Sequence, residues 1–273
     1  MSNAYPFADI DLARRLERTE AHGSVQFIEA RKRAFPEREA TWIEVAGTHA
    51  MFDGIGSPIT QSFGLGVFEP ISADQISKIE EFFRARGAGV FHEVCPLADP
   101  SVFELIRKRR YQPVEFSNVL YRPIDPDLRL NAARNEDIKV RLVGKDEVDL
   151  WAQTACEGWS DFPEVADFLK ELNQVVSQST GLSFLAELKG QPIAAGALTI
   201  AGDVALLAGA STVPSARRQG AQNALLEGRL RYAASRGCTT AMMVTLPGSG
   251  SQRNSERHGF RIAYTRTKWG IQD

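Results

Sequence analysis

The first half of the chain alternates helical and extended patterns of apolar residues. From Ser72 onward, apolar residues recur at helical spacing through Phe83, and Gln75 stands three residues after the serine. This arrangement is typical of a capping box followed by an amphipathic helix, and Gly87 is placed to end that helix. The apolar run over 88–94 then predicts a strand, because it is short and rich in valine and phenylalanine.

The second half repeats this order of elements. A helical pattern over 219–236 is followed by a strand-like run, a proline, a short helix and an extended tail. Four pairs of landmarks keep the same order and lie 148 to 151 residues apart: Gly87 with Gly237, Pro96 with Pro247, Tyr111 with Phe260, and Tyr121 with Trp269. This self-similarity predicts two copies of one α/β unit.

The stretch between the copies has the composition of a linker. Residues 122–137 contain two prolines and several aspartates and asparagines, which are typical of turns and exposed connections. We therefore expect one domain over 1–125, a linker over 126–137 and a second domain over 138–273. A length of 273 residues also agrees better with two modest domains than with one.

One apolar stretch has the length of a membrane span. Residues 192–210 carry a single charge, Asp203, near the middle. Because Gly202 and Asp203 divide the stretch into two short runs, the pattern favours a hairpin of two buried strands over a membrane helix.

Composition and charge narrow the range of partners. The chain is 43% hydrophobic and 24% charged, with a formal net charge of −2, so no global positive field is present to hold nucleic acid. Cys95, Cys156 and Cys238 are far apart and odd in number, which indicates reduced thiols rather than a disulfide framework. The N-terminal residues have no signal-peptide pattern, and the four histidines have no metal-ligand spacing. We expect a cytoplasmic protein that binds no membrane, nucleic acid or metal ion.

The strongest chemical motif lies at residues 213–226, where a buried strand passes into a helix. Pro214 ends the strand, and Gly220 stands where the helix begins. The first N–H groups of a helix have no intrahelical partner and carry the positive end of its dipole, so they can hold a phosphate. Arg217 and Arg218 add charge beside them. The simpler alternative is that Gly220 only permits the helix to begin and that both arginines are solvated.

This loop resembles the acetyl-CoA loop of the GNAT superfamily of acyltransferases, whose R-x-x-G-x-G/A motif follows a strand. Arg217, Gly220 and Gln222 stand at the motif positions, with glutamine in place of the usual small residue. The segment RNSERHGF resembles a second family motif, a short helix that ends in Gly-Phe, here at 259–260. The resemblance covers roughly residues 138–273. It implies an α/β fold with a mixed sheet, as two GNAT-like domains in tandem with a degenerate N-terminal copy.

The resemblance also implies acetyl-CoA as the co-substrate. In the family, the loop holds the phosphates, and backbone amides at the end of the preceding strand bind the acyl carbonyl. The residues implied at these positions are Thr212, Val213, Arg217, Arg218, Gln219, Gly220, Ala221, Gln222 and Asn223.

The corresponding loop of the first copy, residues 63–72, lacks these features. It has no arginine and no glycine at the helix start, and Glu69 and Asp74 place negative charge near that start. Because a phosphate would be repelled there, we expect the N-terminal copy to bind no CoA.

The candidates for proton transfer are side chains outside the loop. The family often supplies a tyrosine as acid at the position that Ser255 holds here. Tyr264, on the following strand, is one candidate for the acid, and its alternative role is that of a packing aromatic. Glu157 and Asp161 fall where the family's substrate-facing segment lies. They are candidates for the general base, or else a helix cap and surface charge.

These features predict an N-acetyltransferase that moves an acyl group from acetyl-CoA to an amine of a small molecule or peptide. Two alternatives stay open. One is a non-catalytic acyl-CoA-binding or assembly module, which Ser255 at the tyrosine position favours. The other is an aminoacyl transferase that takes its acyl group from aminoacyl-tRNA, against which the net charge of −2 and the intact arginine-glycine motif argue.

Overall fold

The computed structural model describes residues 5–124, 135–161, 169 and 171–271. This part of the chain separates into two compact units. The N-terminal unit contains Tyr5–Leu120, Val244–Gln252 and residues 262–271. The C-terminal unit contains the described residues of Tyr121–Met243 together with Arg253–Arg261.

The N-terminal unit combines three helices with a mixed sheet in the strand order β1-β2-β3-β4-β11-β5, numbered along the whole chain. Its elements are α1 (Ile10–Ala34), β1 (Thr41–Val45), β2 (Thr48–Phe52), β3 (Gln61–Phe63), α2 (Ala73–Arg84), β4 (Val90–Val94), α3 (Pro100–Lys108), β5 (Gln112–Pro123) and β11 (Arg261–Ile271). The long helix α1 packs on β1, β2 and β3. Its Ala21 and Ile28 join Met51 and Phe63 in a buried apolar cluster.

The strands of the C-terminal unit lie in the order β10-β9-β8-β7-β6, in which β9 and β10 are parallel and the other neighbours are antiparallel. Its elements are β6 (Ile138–Leu142), α4 (Val148–Gly158), α5 (Leu172–Ser177), β7 (Leu182–Leu188), β8 (Gln191–Ala201), β9 (Val204–Thr212), α6 (Ala221–Ser235) and β10 (Thr240–Thr245). The helix α6 packs across β6 to β9. Gly228 permits this close approach, since a β-carbon there would lie 2.5 Å from Val140. The predicted α/β class is confirmed.

The predicted repeat is present in the order of elements. The series α2, β4, α3 and β5 returns as α6, β10, α7 (Gly250–Arg257) and β11. The capping box is also confirmed, because Ser72 Oγ accepts from the Gln75 N–H at 3.2 Å and the Gln75 side-chain oxygen accepts from the Ser72 N–H at 2.8 Å. Gly87 and Gly237, which follow α2 and α6, have φ of 66° and 81°.

The apolar stretch over 192–210 forms the predicted hairpin. The strands β8 and β9 pair antiparallel, and Gly202 adopts a φ of 58° in the turn between them. Among the described residues, no helix has the length and apolar character that a membrane crossing requires. All three cysteines are described and carry free thiols; Cys95 and Cys238 are buried and Cys156 is half-buried.

The last strand of the chain lies in the sheet of the first copy. β11 pairs antiparallel with β4, with Thr267 opposite Val94 and Ile271 opposite Val90. Residues 262–271 therefore join the N-terminal unit, although they follow the C-terminal copy in sequence. The domain boundaries at 125 and 138 stay predictions, and linker residues 126–134 lie outside the described residues.

Candidate functional site

The loop between β9 and α6 turns at two residues with left-handed backbone. Pro214 begins a single 3-10 turn directly after the strand. Arg218 and Gly220 then adopt φ of 64° and 91°, and α6 begins at the next residue. A β-carbon at Gly220 would meet nothing closer than Asn135 at 3.5 Å. The backbone angle, rather than crowding, therefore requires glycine here.

The first turn of α6 has no side-chain cap. Gly220 is its N-cap residue, so no side chain accepts from the first N–H groups of the helix. The corresponding helix α2 differs, because the capping box of Ser72 and Gln75 occupies an N–H group at its start. The positive end of the α6 dipole is thus available to an anion, whereas that of α2 is partly satisfied by its own side chains.

A cleft of about 360 Å³ lies against the start of α6. Seven of the nine predicted co-substrate residues line it, together with Ala216: Thr212, Arg217, Arg218, Gly220, Ala221, Gln222 and Asn223. The other two shape the path of the chain. The Val213 N–H donates to the Ile193 carbonyl at 3.0 Å, and the Gln219 carbonyl accepts from Asn135 Nδ2 at 3.0 Å.

One side chain joins the start of the helix to the end of the strand. Gln222 Nε2 donates to Thr212 Oγ1 at 2.7 Å. The glutamine that departs from the small residue of the family motif therefore fixes the spacing between β9 and α6. The motif does not predict this contact, because the partner lies ten residues away on the other side of the loop.

The edge of β9 that faces away from β8 extends beyond its pairing with β10 and ends beside this cleft. The pairs between β9 and β10 end at Leu206 opposite Met242, although β9 continues to Thr212. Ala208 and Gly209 are exposed, while the first four residues of the strand are buried. Beyond Leu206, the edge that faces away from β8 can therefore bond an extended chain that carries amide groups.

The end of α4 packs against the end of β9. A β-carbon at Gly158 would lie 2.4 Å from Ser211 Oγ and 3.0 Å from the Thr212 nitrogen, and Ser211 Oγ donates to the Ala155 carbonyl at 3.2 Å. Because only a glycine permits this approach, α4 delivers the residues that follow it to the cleft. The predicted base candidate Glu157 is exposed on the last turn of this helix.

The second base candidate, Asp161, contacts the loop directly. Arg217 Nη1 lies 2.5 Å from Asp161 Oδ2, and Arg217 Nη2 donates to the Gly158 carbonyl at 3.4 Å. Both charged side chains are about half exposed, at 42% and 54%. The structure thus brings Asp161 to the cleft through an arginine of the predicted phosphate loop, a link that sequence spacing could not reveal.

The candidate acid is not part of the unit that carries the loop. Tyr264 belongs to the N-terminal unit, is 7% exposed, and donates through its hydroxyl to Glu17 Oε1 at 2.9 Å. Burial and the neighbouring Glu17 carboxylate raise the pKa of Tyr264 well above its ordinary value. Ser255, at the family's tyrosine position, is buried, and its Oγ donates to Met243 Sδ at 2.6 Å. The structure therefore places Tyr264 among buried charged groups, and its role as an acid stays a prediction.

The N-terminal loop over 63–72 lies against a smaller cleft of about 160 Å³. Ile10 and Arg14 of α1 line this cleft beside Glu69 and Asp99. Arg14 is already engaged, because its Nε donates to the Val67 carbonyl at 3.0 Å and its Nη1 pairs with Asp11. Among the described residues, no three His, Cys, Asp or Glu side chains are grouped as metal ligands would be.

Part of the second half of the chain matches a known family model. Residues 146–260 match the acetyltransferase (GNAT) family model. The chain carries a GNAT-family domain. No curated protein matches the chain by sequence.

Solved structures extend the likeness to the fold of most of the chain. A GCN5-related N-acetyltransferase from Kribbella flavida superposes with a TM-score of 0.67 at 20% identity, over 96% of each chain. One from Sphaerobacter thermophilus has a TM-score of 0.55 at 15% identity, over 77% of this chain and 71% of that chain. A tandem GNAT protein from the clavulanic acid biosynthesis pathway has a TM-score of 0.55 at 12% identity, over 81% of this chain and 73% of that chain. The predicted tandem GNAT-like fold is confirmed.

Proposed function

We propose that the protein is an acetyl-CoA-dependent N-acetyltransferase whose co-substrate lies in the cleft at the start of α6. The observation that carries this proposal is that three features occur together at one cleft. An uncapped helix start and two arginines meet there, at the end of an open strand edge. Coenzyme A has the complementary chemistry, with phosphates at one end and an extended amide-containing arm that leads to the thioester.

The phosphate end is held by the loop. The first N–H groups of α6 and the dipole behind them attract the pyrophosphate, and Gly220 lets the chain turn into them at a φ of 91°. Arg218 lines the same cleft and adds a charge-assisted donor. Arg217 supplies a second donor when the phosphate displaces Asp161 from it.

The acyl end lies along β9. The exposed edge at Ala208 and Gly209 bonds the amide-containing arm, which directs the thioester toward Thr212. The Val213 N–H is bonded to Ile193 of β8. Because successive N–H groups of an extended strand point to opposite edges, the Thr212 N–H is the donor that we assign to the acyl carbonyl, where negative charge develops.

The acceptor amine must lose a proton before it can attack the thioester. We assign this step to the carboxylates at the end of α4, with Asp161 beside the phosphate loop and Glu157 one turn earlier. The departing CoA thiol has a pKa of about 8.5 as a free thiol, so it leaves as a thiolate and takes its proton from solvent. This assignment requires no tyrosine acid.

A non-catalytic acyl-CoA-binding module is the second candidate. It is favoured because both candidate acid hydroxyl groups already donate to other side chains, Ser255 to Met243 and Tyr264 to Glu17. A module of this kind binds acetyl-CoA in the same cleft but does not transfer the acetyl group.

The experiment that separates the two candidates combines acetyl-CoA with a panel of small-molecule and peptide amines. Release of the free CoA thiol is measured against a sample without amine. The proposed enzyme releases thiol with at least one amine and yields a product heavier by one acetyl group. Saturable binding of acetyl-CoA without thiol release across the panel would support the binding module.

A further inference from the structure

A β-bulge interrupts the hairpin directly before the proposed acyl site. Ala195 of β8 lies opposite Ser211, and Ala197 lies opposite Ala208, so two residues of β9 face one residue of β8. Gly209, one of the two, adopts a φ of 58°. A bulge of this kind bends its strand and changes the direction of its hydrogen-bonding groups.

Arg229 of α6 holds the carbonyl groups beside this bulge. Its Nη1 donates to the Ala197 carbonyl at 3.0 Å and to the Ala208 carbonyl at 3.2 Å, the two residues where regular pairing resumes. Its Nε donates to the Leu225 carbonyl of the same helix at 3.3 Å. One guanidinium therefore ties both strands of the hairpin to α6.

The neighbourhood leaves room for this guanidinium and adds a second donor. A β-carbon at Gly196 would lie 3.1 Å from Arg229 Nη1 and 2.9 Å from Leu225 Cδ2. Trp151 Nε1 of α4 donates to the Gly196 carbonyl at 3.2 Å. Buried donors thus satisfy the carbonyl groups on both strands at the bulge.

Folding stability alone does not account for this arginine. Arg229 is 2% exposed, and within the described part of the chain it has no carboxylate partner. Burial lowers its pKa to about 10, so it remains charged at neutral pH. Because a buried cation without a counter-ion is costly, an apolar side chain would suit a helix that needed only to pack.

We infer that Arg229 is a positioning residue for acetyl transfer, which fixes the bulge so that the outer edge of β9 from Ala208 to Thr212 meets the acyl arm of the co-substrate. This inference rests on the proposed function. Arg229 lies about two turns beyond the start of α6, so it acts on the acyl end and leaves the phosphate loop to the first turn. Its removal should therefore separate transfer from CoA binding.

The test compares Arg229→Met with the matched variant Arg231→Met. Arg231 lies on the same helix, is 57% exposed and pairs with Glu227, so its loss leaves the hairpin untouched. We expect Arg229→Met to lower kcat by about 10-fold or more while the Kd for CoA without an acetyl group changes by less than about 3-fold. Arg229→Lys should recover part of the lost kcat, and Arg231→Met should match the parent protein.

Gly196→Ala provides an independent probe if Arg229→Met does not fold. It keeps every charge but crowds the guanidinium, so it should produce the same separation of kcat from Kd. Backbone amide exchange gives a readout that needs no activity: exchange over 208–212 should become faster in Arg229→Met and Gly196→Ala than in the parent or Arg231→Met.

The outcomes distinguish this inference from the proposed function. Unchanged amide exchange over 208–212 in folded Arg229→Met and Gly196→Ala overturns the inference, and so does a parallel loss of CoA binding and kcat. If the parent protein binds no acetyl-CoA, the proposed function fails, while faster exchange in both variants still supports control of the bulge by Arg229.

Discussion

Arg217 stands between two partners, one present in the structure and one proposed. In the structure its guanidinium contacts Asp161 at 2.5 Å, and both side chains are about half exposed. Exposed ion pairs of this kind contribute little in water, so a phosphate that also bonds the helix N–H groups can displace the carboxylate. Phosphate binding would then leave Asp161 free beside the acceptor amine.

The carboxylates should matter more than the serine at the tyrosine position. We expect Asp161→Asn or Glu157→Gln to lower kcat/KM by about 10²-fold or more, the usual lower size of a general-base contribution. Ser255→Ala should retain most of the activity, because Ser255 Oγ is bonded to Met243. The measurement is kcat/KM for the three variants with one acceptor amine. Loss of activity in Ser255→Ala, with full activity in both carboxylate variants, would reverse the assignment.

A buried charge cluster in the N-terminal unit makes Glu17 sensitive to pH. Glu17 is 1% exposed and shares Arg266 with Glu20 and Glu93, at distances of 3.4, 2.6 and 3.5 Å. Burial raises the pKa of Glu17 from 4.5 to about 7, against the opposing effect of Arg266. The folded protein therefore binds more protons than the unfolded chain between these pH values, and Glu17 lowers the free energy of unfolding as pH rises through them.

Replacing the Glu17 carboxylate should change how the free energy of unfolding depends on pH. Gln cannot ionise, so Glu17→Gln should become more stable relative to the parent between pH 4 and pH 8, by up to about 3 kcal/mol in the free energy of unfolding. Urea unfolding of both proteins at the two pH values measures the difference. A parent protein that becomes the more stable of the two as pH rises would mean that the attraction to Arg266 outweighs burial.

Among the elements, α4 and β9 make a close contact that depends on Gly158. The helix can approach the strand because position 158 has no side chain, and the atoms that a β-carbon would meet include the backbone nitrogen of Thr212. The same approach brings Asp161 to the cleft. Packing of these two elements is therefore part of the proposed site.

Gly158→Ala should force α4 away from β9. We expect a loss of about 1–3 kcal/mol in the free energy of unfolding, together with a lower kcat, since the carboxylates move with the helix. Gly250→Ala is the matched control, because a β-carbon there would meet nothing within 4 Å. Chemical unfolding and kcat are measured for both variants. Equal behaviour of the two would show that the close approach has no role in activity.

Local elements could be predicted from sequence, while their long-range pairing could not. The capping box at Ser72 and the hairpin around Gly202 depend on residues a few positions apart, and both are present. The pairing of β11 with β4 joins the two copies of the repeat, and the repeat itself predicts only that each copy has such strands. Beside the bulge at Gly209, the Ala208 carbonyl likewise accepts from Arg229, which comes from a later helix.

At the scale of the whole molecule, two copies of one supersecondary pattern have different helix starts. α6 begins without a side-chain cap, whereas α2 has the Ser72 capping box. Arg18 lies over the Phe68 ring, 5.0 Å from its centroid, and Glu69 stays beside the loop. The negative charge of Glu69 and the N–H group that the Ser72 side chain occupies both disfavour a phosphate at the first copy.

Titration should accordingly give one acetyl-CoA per chain. Calorimetry with the full chain measures the stoichiometry directly. A value of two, with the second site lost on substitution within residues 64–72, would contradict the inactive role of the N-terminal copy.

The candidate site was predictable where its residues are contiguous. The loop motif places most of its residues along the cleft, because a strand, a turn and a helix start are local structure. The contacts of Thr212 with Gln222 and of Arg217 with Asp161 depend on how separate elements pack. The bonding of Val213 differs from the prediction. Its N–H is an expected donor to the acyl group, but in the structure it donates to the Ile193 carbonyl.

The central claim is that the start of α6 holds the phosphates of acetyl-CoA, and calorimetric titration of Gly220→Val tests it most directly. Valine disfavours a φ of 91° and crowds the approach of a phosphate. Gly237→Val, at a φ of 81° beyond the other end of the same helix, imposes a similar backbone strain away from the cleft. We expect the parent and Gly237→Val to bind acetyl-CoA with similar Kd, and Gly220→Val to show no detectable binding while it remains folded by circular dichroism. Parent-like binding by folded Gly220→Val would contradict the claim.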